Sequence, residues 1–160
     1  MPRILIRHGN ASAVPLFTID RAVGRNAPNE RLDVLLAQVL LRFFTNYPSW
    51  IPPGRVPSGL RVATPLFRAT TSMPTHPQPQ GSIVVDGICG DQTIGFIEYF
   101  QEQMQLRGVG VELNGQVAPL GTIGTTTMAL LNDALGGGSM PWKLWNCGYW
   151  PQELMNSVYY

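Results

Sequence analysis

Apolar side chains recur at helical spacing in three stretches of the chain. Over 29–46, Leu32, Leu35, Leu36, Val39, Leu40 and Phe43 keep the i, i+3, i+4, i+7 order of one helix face. Asn29 stands where an N-cap would accept from free backbone N–H groups, and Glu30 follows where the helix dipole favours an acid. Asn46-Tyr47-Pro48 ends this helix, because a residue before proline resists helical backbone angles. Over 91–106, Thr93, Ile97, Phe100 and Met104 share a face, with Asp91 placed to cap. Over 122–135, Ile123, Thr127, Leu130 and Leu131 point one way, with Thr122 as cap. Gly108-Val109-Gly110 breaks the chain after the second helix, and Gly136-Gly137-Gly138 terminates the third.

Outside these stretches the pattern changes. Residues 3–7 and 14–19 are short, β-branched runs bounded by Gly9-Asn10 and Asp20, and they predict two short strands or an extended arm. Such a pair is marginal alone, so it is expected to dock on its own domain or on a neighbour. Residues 48–82 hold eight of the fourteen prolines. A loop of this length is unusual inside a compact domain and reads as an insertion between the first and second helices. Its end, Pro74 to Gly81, resembles a polyproline-type linker. The tail from 136 carries Trp142, Trp145, Tyr149, Trp150, Tyr159 and Tyr160.

Two turns precede helices. Val85-Asp86-Gly87-Ile88-Cys89-Gly90 leads into the second helix, and Leu113-Asn114-Gly115 stands ahead of the third. Both read apolar–Asx–Gly, a strong turn signal. Gly87 and Gly90 are expected to adopt backbone angles that a side chain would forbid. Two copies are too few for a solenoid, and a turn-plus-helix pseudo-repeat fits better.

Composition narrows the classes of function. With 160 residues, the chain suits one domain carrying an insertion or appendages. At 44% hydrophobic it has ample material for a core, but only 13% is charged, about half the usual share of roughly 25%. Net charge is +1, which favours burial of surface against a partner or in an oligomer. No basic run or stripe marks a nucleic-acid interface. No segment approaches the roughly 20 apolar residues of a membrane span, and the N-terminal apolar run is too short for an ordinary signal peptide. His8, His76, Cys89 and Cys147 show no zinc spacing, so neither metal nor cofactor is expected. The two cysteines form a disulfide or remain small apolar residues; sequence leaves both readings open.

The residues Asp86-Gly87-x-x-Gly90-x-x-Thr93, followed by Phe100-Gln101, resemble the signature of peptidoglycan-binding-like domains. Asn29, Asp33-Val34 and Gln38-x-Leu40-Leu41 are similar to that family's first helix. Asn114-Gly115-x-Val117-x-Pro119-x-Gly121-Thr122, then Leu130-Leu131-Asn132, resembles its closing turn and third helix. Together they cover about 24–47 and 83–135 in the family's order. Asp91-Gln92, Gly95 and the long insertion depart from the usual pattern. The resemblance implies a mainly α fold, a peptidoglycan-binding-like three-helix bundle that is typically non-catalytic and tethers its carrier to the cell wall. The expected organisation is an extended N-terminal arm at 1–23, the domain at 24–135 with its Pro-rich insertion at 48–82, and an aromatic tail at 136–160.

Candidate chemistry follows from these residues. Asp86, Gly87, Gly90, Thr93, Asn114 and Gly115 are the candidate ligand-binding positions, with turn geometry as the simpler role. Asp86 and Glu98 would serve as an acid/base pair only at the roughly 5–10 Å separation of glycosidases. No G-x-S-x-G elbow exists, so catalysis is not expected. Trp142, Trp145, Tyr149, Trp150, Tyr159 and Tyr160 are the candidate partner-binding residues, because Trp and Tyr serve both sugar stacking and protein interfaces. Three functions follow: a wall-binding module, a structural protein of a phage particle or contractile injection machine, and, ranked last, a wall hydrolase. The sequence leaves the location open; the cell wall or such a particle follows only if the chain is exported by a route other than an ordinary signal peptide.

Overall fold

From Asp33 to Leu41, every side chain of helix α1 (Arg31–Asn46) is buried. Helix α2 (Asp91–Leu106), helix α3 (Thr127–Leu135), the short helix α4 (Gln152–Met155) and strand β3 (Val23–Gly24) all pack against α1. The periodicity had marked one apolar face. Val34, Ala37 and Leu41 fill the other sides, and a helix buried all round is a central element. The computed structural model describes residues 2–8, 13–46, 83–106, 110–121, 127–135 and 150–155. The insertion 48–82, Thr122, Ile123, Cys147, Trp142, Trp145, Tyr149, Tyr159 and Tyr160 lie outside the described residues. Close to half of those described are helical, with two small sheets beside them.

The expected inner face of α2 is buried at Thr93, Ile97, Phe100 and Met104, and Phe96 joins it. In α3, Thr127, Leu130 and Leu131 are buried together with Met128 and Asn132. The capping expectations are corrected. Asn29 has a left-handed backbone, φ 54°, and its side chain closes the turn behind it. Its Oδ1 accepts from the Gly24 N–H at 2.7 Å, and its Nδ2 donates to the carbonyls of Gly24 and Ala27. The Glu30 carbonyl accepts from the Val34 N–H, which puts Glu30 at the N-cap of α1. Likewise the Gly90 carbonyl accepts from the Ile94 N–H, so Gly90 is the N-cap of α2 and Asp91 is its first residue. Asp91 still suits the positive end of the dipole there.

Strands β1 (Arg3–His8) and β2 (Ala13–Thr18) form an antiparallel hairpin, in register from Arg3 opposite Thr18 to His8 opposite Ala13. β3 pairs antiparallel with β4 (Gln116–Val117). The hairpin continues into the core, where Phe17, Ile19 and Val23 are fully buried. Asn132 of α3 pairs with the β2 backbone: its Oδ1 accepts from the Phe17 N–H at 2.7 Å, and its Nδ2 donates to the Phe17 carbonyl at 2.8 Å. The Asp33 carboxylate accepts from the N–H groups of Asp20 and Arg21, both at 3.0 Å. The arm boundary expected at 23/24 therefore falls inside β3, and the second half of the arm shares the core of the helices.

Candidate functional site

Gln38 sits in the middle of α1 with its side chain buried. A buried amide must find partners for its donors and its acceptor. Gln38 finds them in the Asp86–Gly87 turn. Its Oε1 accepts from the N–H groups of Asp86 (3.1 Å) and Gly87 (2.9 Å). Its two Nε2 hydrogens are shared among Asp86 Oδ1 (3.1 Å), the Ile88 carbonyl (3.0 Å) and Thr93 Oγ1 (3.0 Å). The same Asp86 oxygen accepts from the Ile88 N–H at 2.8 Å, closing an Asx turn. Gly87 has φ 76°, and a Cβ there would stand 2.9 Å from the Arg31 side chain. Gly90 is different. It lacks a positive φ, and a Cβ would meet nothing within 4 Å, so the expectation of a forbidden backbone holds for Gly87 and not for Gly90.

The second turn repeats this arrangement. Gln101 of α2 is fully buried. Its Oε1 accepts from the Gly115 N–H at 2.9 Å. Its two Nε2 hydrogens are shared among Asn114 Oδ1 (3.0 Å), the Gln116 carbonyl (2.9 Å) and Thr127 Oγ1 (2.8 Å). Asn114 Oδ1 accepts from the Gln116 N–H at 2.9 Å, and Gly115 has φ 69°. Each helix thus spends one glutamine on fixing the next Asx-Gly turn and the threonine of the helix beyond it. The sequence had shown the echo of the turns and had marked Gln38 and Gln101 within the resemblance, but not that they fix the turns. Their signal was a polar side chain within an apolar helical face.

Gly24 brings the two turns together. Its φ is 125°, and a Cβ would fall 2.0 Å from the Gly115 carbonyl oxygen. The Arg25 N–H donates to that oxygen at 2.9 Å. On the other side, the Gly24 backbone lies close to the Cys89 thiol. Burial pushes that thiol up, and the Gly24 contact works in the opposite direction. The Arg25 guanidinium pairs with the Glu98 carboxylate, with Asp91 adding a weaker attraction; both hold the guanidinium charged. The result is a shelf between the turns that presents Arg25, Asp91 and Asn114 to solvent, with half-buried Cys89 and Glu98 behind. Ile88, 66% exposed, follows the first turn in the chain and Leu113 precedes the second; Val84 is exposed as well.

The carboxylates considered for acid/base work have other ties here. Asp86 serves its own turn and Gln38, and Glu98 serves Arg25. Among the described residues no group of three or more His, Cys, Asp or Glu is placed to hold a metal ion. No helix among them is long and apolar enough to cross a membrane.

Of the six aromatic tail residues, Trp150 alone is described. Its ring lies tilted against Phe17, with centroids 5.9 Å apart, and Leu154 of α4 is fully buried in the same core. Glu153 is held by Arg31, whose Nε and Nη2 donate to the two carboxylate oxygens at 3.0 and 2.8 Å. The third nitrogen, Nη1, donates to the Asp86 carbonyl at 2.6 Å. Arg31 therefore ties the C-terminal segment to the first turn, a role that its sequence position did not announce. No protein-family model, curated protein or solved structure matches this chain.

Proposed function

We propose that this chain is a non-catalytic peptidoglycan-binding module built on a three-helix bundle, carried at the cell wall or within a larger assembly. The observation that supports it most is the pair of glutamine-locked Asx-Gly turns flanking one shelf. Fixed turns hold a surface in a defined shape before a ligand arrives, so less ordering opposes binding. The shelf offers hydrogen-bonding groups (Arg25, Asp91, Asn114), and the flanking turns carry exposed apolar side chains (Ile88, Leu113). That mixture suits a neutral polymer rich in hydroxyl and amide groups better than a polyanion. In this reading, Asp86, Gly87, Thr93 and Gly115 shape the site, and the shelf residues make the contacts. The occupied state of Asp86 and Glu98 favours binding over hydrolysis. Retention of the purified chain on peptidoglycan sacculi tests the proposal. Retention no greater than that of a charge-matched control protein overturns it, and lysis of the sacculi would restore the hydrolase reading.

A second reading, a structural protein of a phage particle or contractile injection machine, draws on Ile88 and Val84. Apolar side chains this exposed beside a rigid turn suit protein contact as well as ligand contact. This reading expects stable oligomers or a co-purifying partner. A clean monomer by light scattering counts against it.

A further inference from the structure

We infer that Arg31 is a carboxylate-binding position whose place is held by Glu153 of the same chain, and that a free carboxylate of a wall stem peptide displaces Glu153. This rests on the peptidoglycan-binding reading above. The guanidinium is oriented before any ligand arrives. Its Nη1 donates to the Asp86 carbonyl, and its stem lies over Gly87. That turn is itself fixed by Gln38. The remaining edge, Nε and Nη2, forms the two-pronged fork that matches one carboxylate, and Glu153 fills it with both oxygens.

Glu153 is easy to displace. The two side chains are 53% and 51% exposed, so solvent and solutes reach the pair, and such pairs hold weakly. The segment does not have to leave with the side chain. Leu154 is fully buried and Trp150 packs on Phe17, so α4 stays docked while the Glu153 side chain swings out. The charges around Arg31 set the class of ligand. The Asp86 carboxylate acts on it from the turn side, and Glu30 precedes it in the chain. With acids already present, a peptide carrying isolated carboxylates is favoured over a phosphate-rich polymer. The position adjoins the Asp86–Gly87 turn, one of the two turns that flank the shelf.

The test uses the full chain, a synthetic stem tetrapeptide with free carboxylates, and the same peptide with its carboxyl groups amidated. Affinities come from calorimetry, with sacculi retention measured in parallel. Glu153→Gln removes the internal competitor and is expected to bind the free peptide about two- to fivefold more tightly than the native chain. The amidated peptide should bind the two chains alike. Arg31→Gln should lose the preference for the free peptide, and Arg31→Lys, with charge but no fork, should keep only part of it. Equal affinity of the native chain and Glu153→Gln for the free peptide, with both retained on sacculi, overturns the inference and leaves the wall-binding reading standing. A gain for the amidated peptide as large as for the free one also overturns it, because the gain then comes from a loosened α4. If no variant is retained on sacculi, the wall-binding reading fails and this inference fails with it.

Discussion

A buried primary amide has two donors and an acceptor to satisfy, and Gln38 and Gln101 satisfy theirs on backbone and side chains of turns distant in sequence. Replacing Gln38 by leucine keeps much of the volume but strands the N–H groups of Asp86 and Gly87. A stranded buried group costs about 1–3 kcal/mol; with the Gly87 N–H buried and the Asp86 N–H part-buried, Gln38→Leu is expected to lose about 2–4 kcal/mol in a denaturant titration. Gln101→Leu should behave alike. A loss below about 1 kcal/mol would mean that the turns hold themselves. The glycines divide by the same logic. Gly24→Ala drives a methyl into the Gly115 carbonyl from a backbone angle unsuited to alanine, and a loss of about 3 kcal/mol or more is expected. Gly90 stands in open space at an N-cap, where serine is at least as good. Gly90→Ser should therefore leave the melting temperature unchanged or slightly raised, and a clear drop would contradict the N-cap assignment. Sequence alone treats Gly87 and Gly90 as one motif; only the backbone separates the glycine that is required from the one that is not.

At the scale of elements, helices were legible because their apolar spacing is local. The bounds of α2 match their expectation, and α1 starts two residues late because Asn29 turned out to serve the turn before it. The burial of α1 on all sides was not legible. It follows from where β3, α2, α3 and α4 lie, which no window along the chain records. The same holds for the site: the Asx-Gly turns could be read, but Gly24 as their meeting point and Arg31 as a bridge to Glu153 depend on contacts between distant residues. The Arg31–Glu153 pair between α1 and α4 is sensitive to pH. Arg31 holds the Glu153 carboxyl below its ordinary range. A group whose folded pKa is depressed adds its stabilisation above its unfolded pKa and loses it as pH falls through the folded value. The pair is thus complete near neutrality and released in acid, below the ordinary carboxylate range. An NMR titration of the Glu153 carboxyl carbon should give a lower midpoint in the native chain than in Arg31→Gln. Equal midpoints would show that the pair does not persist in solution.

At the scale of the whole molecule, the two glutamine locks say where the chain can be shortened. Gln101 and Asn114 are 13 positions apart, while Gln38 and Asp86 are 48 apart, yet the two pairs make matching hydrogen bonds. The difference, 35, is the length of the proline-rich segment 48–82. A connection as short as the second one is therefore enough to close the first lock, and the additional residues are not needed to reach it. Closing a longer loop costs more chain entropy, though only as the logarithm of its length. Replacing 48–82 by a Gly-Ser link of about four residues removes most of that loop, which would favour the folded state by about 1 kcal/mol. The shortened chain is expected to unfold in one cooperative transition, at a denaturant midpoint equal to or above that of the native chain, with unchanged helical circular dichroism. Its Gln38→Leu variant should fall by the same amount as in the native chain, because the lock is the same. A shortened chain without a cooperative transition would show instead that 48–82 is part of the fold, and that the likeness of the two locks does not extend to the connections that close them.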